Sequence, residues 1–233
     1  MVVAWGGWEA QAVSNTAAND VLYRSIAREF LNDSFYTKGL LKREATLNAA
    51  GQPYIETENT YLLRDVHTGT APANAASTED TLFPQLVRAD KRFYEPETSA
   101  SLSKTTYTTH EYDALGNVIR FTDAGEPGTS ADDIDATLGY TSCASAYLSK
   151  VNAITVKGNG VEMRKRTADI SCTTGNTRQV SQFLTGAQAA VTDLAYYANG
   201  NLQTVTGPAN KNNQRYRLDY VYDTEVDTHV ARI

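Results

Sequence analysis

Apolar and polar residues alternate one by one near the end of this chain. Tyr216, Leu218, Tyr220 and Tyr222 alternate with Arg217, Asp219, Val221 and Asp223. That period of two predicts a strand with an aromatic face against the body and a mostly polar face outward. Residues 105–112 and 118–122 flank Gly116-Asn117, and residues 150–156 and 161–170 flank Gly158-Asn159-Gly160. Glycine accepts a positive φ without steric cost and asparagine tolerates it, so both arrangements read as β-hairpins. Residues 21–31 are ambiguous. Leu22, Ile26 and Phe30 recur every fourth residue, which suits a helix, yet they share one parity, which suits a strand. Arg24 and Arg28 on the same parity weaken the strand, so any short helix is expected within residues 21–36. The small, polar stretches 68–80 and 98–104 read as surface links.

The stretch EYDALGNVIRFTDAG, residues 111–125, does not stand alone. YYANGNLQTVT, residues 196–206, superposes on YDALGNVIRFT with Tyr196 on Tyr112, Gly200-Asn201 on Gly116-Asn117 and Leu202 on Val118. LNAAGQPYIET, from Leu47, keeps the glycine at the same offset (Gly51) but has Leu47 for the tyrosine, Asn48 for Asp113 and Gln52 for Asn117. Near the end, YVYDTEVDTHVARI repeats Tyr222-Asp223 and then departs, with no glycine before the next apolar residues. Asp113 is placed to accept hydrogen bonds from the turn's backbone N–H groups, whereas the second unit has Tyr197 there. Two short strands cannot bury their own apolar face, so repeated units of this kind stack edge to edge. The fold class expected is all-β, antiparallel hairpins in a large curved sheet. A strand or short-helix lead-in is expected over residues 1–40 and the repeat sheet over 41–233.

Composition agrees with strands: the 233 residues include 14 tyrosines against 6 phenylalanines, and aromatic side chains suit half-buried pleated surfaces. A net charge of −6 gives no electrostatic footprint for nucleic acid. No apolar run approaches the roughly 20 residues that span a bilayer as a helix. MVVAWGGWEAQAV at the start has no basic region of the kind that opens a signal peptide, and VARI at the end is strand-like. Both are read as the ends of a piece of a longer protein. Cys143 and Cys172 lie on the outer ends of the 150–170 hairpin, whose turn sits near their midpoint. Either a disulfide or two thiols fits, and a bridge would persist only in an oxidising compartment.

Candidate chemistry is sparse. His67, His110 and His229 are scattered and in no metal-binding spacing, and HExxH, GxSxG and the P-loop pattern are absent. Residues 101–104 match S-x-x-K without the partner motifs of that enzyme class. Glu56-Thr-Glu58 and Glu95-Pro-Glu97 match a short E-x-E element that arises easily by chance. The acidic run 123–135, DAGEPGTSADDID, carries enough carboxylates for a calcium loop but not the D-x-[DN]-x-[DN]-G spacing, and reads as a solvated loop. No catalytic residue, metal or cofactor is assigned.

YDALGNVIRFTDAG, YYANGNLQTVTGPAN and RYRLDYVYD together resemble YD repeats of the RHS family, with Tyr112, Asp113, Gly116, Asn117, Tyr196, Gly200, Asn201, Tyr220, Tyr222 and Asp223 as the repeat residues. The flow from KGLLKREATLNAAGQPYIETENTY to RLDYVYDTEVDTHVARI is most similar to the shell-forming part of insecticidal toxin-complex and virulence-plasmid-B proteins, and covers the chain from about Lys38. The resemblance implies a secreted or cell-surface location and a sheet that spirals into a hollow shell around a toxic polypeptide. The implied partners are other repeats of the same parent chain and toxin-complex subunits or an enclosed toxin domain. Glycans are an alternative partner, through exposed tyrosines on a repeat sheet. The self-cleaving Asp-Pro segment of such proteins has no counterpart here.

Overall fold

The computed structural model describes residues 8–14, 22–75, 81–95, 102–144, 148–184 and 186–233. The described residues form strands and turns without a helix. They divide into two compact units, residues 1–135 and 136–233. In the first, β1 (Trp8–Ser14), β2 (Leu22–Phe30), β3 (Leu41–Asn48), β4 (Pro53–Asp65), β5 (Leu82–Tyr94), β6 (Leu102–Tyr112) and β7 (Val118–Asp123) lie side by side in sequence order. β8 (Ile134–Tyr140) crosses the boundary. The second unit continues with β9 (Val151–Gly158), β10 (Val161–Ile170), β11 (Thr177–Phe183), β12 (Ala189–Tyr196), β13 (Leu202–Ala209) and β14 (Arg215–Asp219), again in order. β15 (Val221–Tyr222) and β16 (Val230–Arg232) pair only with each other among the described residues. The paired strands run antiparallel, as hairpins require.

The ambiguous segment is the strand β2, not a helix, and residues 33–39 form turns. Its arginines decide nothing because both faces of this sheet carry charge. Direct cross-strand partners place Glu29, Arg43, Glu58, Asp90 and Tyr107 in one row of the first unit. Ala27, Ala45, Glu56, Arg92 and Thr105 form another row. Glu56, almost fully buried, accepts from Arg43 and from Arg92 at 2.7 Å, and Arg92 also donates to Glu58 at 2.9 Å. The Arg43 guanidinium beside Glu56 holds its carboxyl below the ordinary range against the opposing effect of burial. Ile26, Thr46, Ile55 and Phe93 form the adjoining row.

Among the described residues, no second layer closes over either face. The buried apolar side chains among the described residues are Ala45, Leu82, Ala124 and Ile170, while Ile55 remains 36% exposed in the middle of its row. A domain normally buries a sheet face against a second layer; in each unit the described strands form a single layer, held by ladders, turns and ion pairs.

The strand expected to run through Tyr216 to Tyr222 is interrupted. β14 ends at Asp219, the Tyr220 N–H still bonds Gln203 O at 2.9 Å, and Val221-Tyr222 turn away to pair with β16. The alternation of tyrosines continues through this break because both segments are extended, so period alone does not reveal it. Tyr216 does not pack against the body either: it is 74% exposed.

Candidate functional site

The stretch around Asp113 builds one small device. In the turn after β6, Asp113 N–H donates to Asn117 O at 2.9 Å and Gly116 N–H to Asp113 O at 3.2 Å. The Asp113 Oδ1 accepts from the N–H groups of Leu115 and Asn117 at 2.8 and 2.9 Å, and Oδ2 accepts from Asn117 Nδ2 at 2.9 Å. Burial pushes this carboxyl up, but the Asn117 and Leu115 hydrogen bonds and the nearby Arg64 outweigh it, and it lies below the ordinary carboxylate range. Gly116, at φ +83°, stands on the Phe83 ring, where a Cβ would come within 3.1 Å.

The same device recurs. Asn48 N–H donates to Gln52 O and Gly51 N–H to Asn48 O, while Asn48 Oδ1 accepts from Ala50 and Gln52. Tyr197 N–H donates to Asn201 O and Gly200 N–H to Tyr197 O. Tyr197 has no carboxylate or amide oxygen to offer the turn, and Asn199 Oδ1 takes the Asn201 N–H in its place at 3.1 Å. A further copy lacks the sequence signature: Asn210 N–H donates to Gln214 O, Asn213 N–H to Asn210 O, and Asn210 Oδ1 accepts from Asn212 and Gln214. Here Asn213, at φ +60°, stands where the others have glycine. A search for Gly-Asn passes over it, although an asparagine followed three residues later by another φ-tolerant residue was the available signal.

Tyr112 and Tyr196, aligned by sequence, act alike. Each is half-buried at the end of its strand and donates its hydroxyl to a main-chain carbonyl of a nearby strand, Leu86 O at 2.9 Å and Thr177 O at 2.8 Å. Burial raises the pKa of both phenols. Tyr61 does the same to Leu41 O at 3.2 Å. Tyr112 and Tyr196 are thus clamps between strands, and a nearby aspartate or asparagine is the mould of each turn.

Two of the motifs meet in the second unit. The Tyr197 ring packs edge-on against Tyr222, with centroids 6.1 Å apart, and its hydroxyl donates to Tyr220 O at 3.0 Å. Asn199 Nδ2 donates to Asp227 Oδ2 at 3.0 Å, and Asn201 Nδ2 to Asp227 O. The departure seen after Tyr222-Asp223 is a wider turn: Asp223 Oδ1 accepts from Glu225 and Val226, Oδ2 from Thr228 and His229, and Asp227 supplies the positive φ at +57°. Hydrogen bonds from the Val226 and His229 N–H groups lead in holding the Asp223 carboxyl down to about 2. A cleft of about 380 Å³ lies among Tyr197, Asn199, Val221, Tyr222 and Asp227. A second, of about 540 Å³, lies among Ser171, Thr174, Asn176, Leu194 and Tyr196–Gly200.

The remaining candidates are dispersed. Cys143 and Cys172 are joined in a disulfide across the base of the β9–β10 hairpin, with Cα atoms 5.6 Å apart. Glu56 and Glu58 serve the arginine ladder described above. Ser101 and Glu97 lie outside the described residues, as do residues 76–80 and 98–100 of the polar links; Lys104 pairs with Glu126 at 3.3 Å. His110 packs against Phe121 with ring centroids 5.2 Å apart and planes tilted by 58°, its Nδ1 is buried and unpartnered, and burial lowers its pKa. In the acidic loop, Asp132 accepts the Glu126 N–H at 2.9 Å. Among the described residues, no cluster of His, Cys, Asp and Glu has the arrangement of a metal site. No protein-family model and no curated protein matches the chain.

Proposed function

We propose that this chain is a structural segment of an RHS/YD-repeat protein, secreted or at the cell surface, that helps build a β-shell enclosing or delivering a toxic polypeptide and performs no catalysis of its own. The observation that carries the reading is the recurrence of one turn, at two of its four places beside a tyrosine clamp, along sheets whose described strands form a single layer. Such a sheet suits a wall, where neighbouring repeats extend the ladder and the two faces look to different sides. The disulfide fits an oxidising compartment. A glycan-binding reading draws on Tyr216 and on the cleft beside Tyr197 and Tyr222, since open aromatic rings can stack on sugars. Against it, the motif tyrosines Tyr112 and Tyr196 are half-buried with hydroxyls committed to main-chain carbonyls.

Electron cryomicroscopy of the gene product that carries this chain tests the proposal. The expected density is a continuous wall in which β3–β6 and β9–β13 are neighbours of further strands, with polypeptide inside. Density with these sheets projecting free of any enclosure, together with binding of the isolated chain on a glycan array, would favour the glycan-binding reading instead.

A further inference from the structure

The sequence Asn-Gly occurs at Asn159-Gly160 and Asn199-Gly200, both exposed at hairpin turns. Glycine puts no Cβ beside its own nitrogen, so that nitrogen can reach the preceding side-chain amide with little hindrance. Attack of Gly200 N on Asn199 Cγ forms a five-membered succinimide. The Cγ–Nδ2 bond breaks, and Nδ2 leaves as ammonia with the proton given up by Gly200 N–H. Water then opens the ring to aspartate or isoaspartate, with no change of oxidation state. Asn199 Oδ1 already accepts the Asn201 N–H at 3.1 Å, which withdraws charge from Cγ. Gly200 N–H is held by Tyr197 O at 2.9 Å, so reaction proceeds when this exposed turn opens.

The two sites differ in what the product meets. Asn199 Nδ2 is a donor to the Asp227 carboxylate at 3.0 Å. Deamidation replaces that donor with a carboxylate oxygen, so an attraction becomes a contact of like charges. Asp227 is also held through its carbonyl by Asn201, and it lies in the turn of the ribbon β15–β16. Among the described residues that ribbon pairs with no other strand, and an isolated two-stranded ribbon is marginal in water. Asn159 stands at the tip of the β9–β10 hairpin, three strands from the β12–β13 turn that holds the ribbon. We propose that Asn199 is a site of spontaneous deamidation whose conversion to a carboxylate releases the C-terminal ribbon from the β12–β13 turn.

The test is to age the chain in mildly alkaline buffer, map deamidation by peptide mass spectrometry, and follow hydrogen exchange over residues 220–232. Fresh protein is compared with aged protein and with Asn199→Asp, Asn199→Ser and Asn159→Asp. Expected are conversion at Asn199 and ribbon exchange faster by about tenfold in both the aged and Asn199→Asp proteins. Asn159→Asp should leave the ribbon unchanged, and aged Asn199→Ser should match its fresh form. No conversion at Asn199, while a short unstructured peptide of the same sequence converts, would overturn the site. Conversion with ribbon exchange unchanged, or equal release by Asn159→Asp, would overturn the mechanism.

Discussion

Single residues in the turns differ in what they can tolerate, although the motif makes them look equivalent. Gly116 at φ +83° also rests on Phe83, whereas Gly200 at φ +91° has open space where a Cβ would go. Gly116→Val combines left-handed strain with overpacking and should cost about 2–4 kcal/mol, against about 1–2 for Gly200→Val. From sequence, Gly69 belongs to a polar link in which substitution is silent. In the fold it closes a turn on Asp65 at φ +70°, and the Arg64 guanidinium lies 2.7 Å from where a Cβ would sit. Gly69→Val should therefore cost roughly 1–3 kcal/mol. Urea denaturation of the three variants checks the order. The clamps give a second measurement: Tyr112→Phe and Tyr196→Phe each leave a carbonyl without its donor and should lose about 1 kcal/mol apiece. Unequal losses, one near zero, would show that the two tyrosines are not equivalent.

At the scale of elements, the hairpins around Gly51, Gly116, Gly158–Gly160 and Gly200 were legible because a positive φ demands a special residue, and that residue is visible in a sequence. The turn at Asn210 was hidden because asparagine can do the same work. The exchange of Asp113 for Asn199 as acceptor was hidden because the replacement is two places along. The break after Asp219 was hidden because strand-like segments lie on both sides of it and differ only in their partners. The meeting of Asn199 with Asp227 depends on where the ribbon lies, which no local pattern encodes. Two elements make separate predictions. Asp223 is held near 2 against an ordinary 3.8, so its contribution to the ribbon turn is complete above about pH 4 and is lost as pH falls toward 2. Amide exchange at Val226 and His229 should quicken over that window, and Asp223→Asn should abolish the step. In β9–β10, the disulfide closes a separation of 29 residues, worth about 3–4 kcal/mol of chain entropy. Reduction should lower the stability of the second unit by that order and leave the first unit unchanged, read by exchange in each.

For the molecule as a whole, the open edge matters most. Among the described residues no strand pairs with the outer side of β14. Because Tyr220 N–H points to β13, alternation turns the N–H groups of Arg217 and Asp219 outward. An edge of that kind templates pairing with another chain. The isolated chain should therefore self-associate with concentration, and Arg217→Pro should reduce it by removing an outward donor without touching the β13 ladder. A proline at Val221 would not serve, since that residue belongs to the ribbon. Sedimentation as a monomer at high concentration, unaffected by Arg217→Pro, would mean that the edge does not act.

Strand order carries a consequence of its own. Within each unit every ladder among the described residues joins consecutive strands, so each of these pairings closes only the loop between its strands. The disulfide spans one hairpin and obeys the same rule. Folding can then follow the ribosome, each strand docking on the one made just before it, and the growing edge is always the newest strand. A sheet ordered this way can be extended by adding hairpins to a gene without disturbing those already in place.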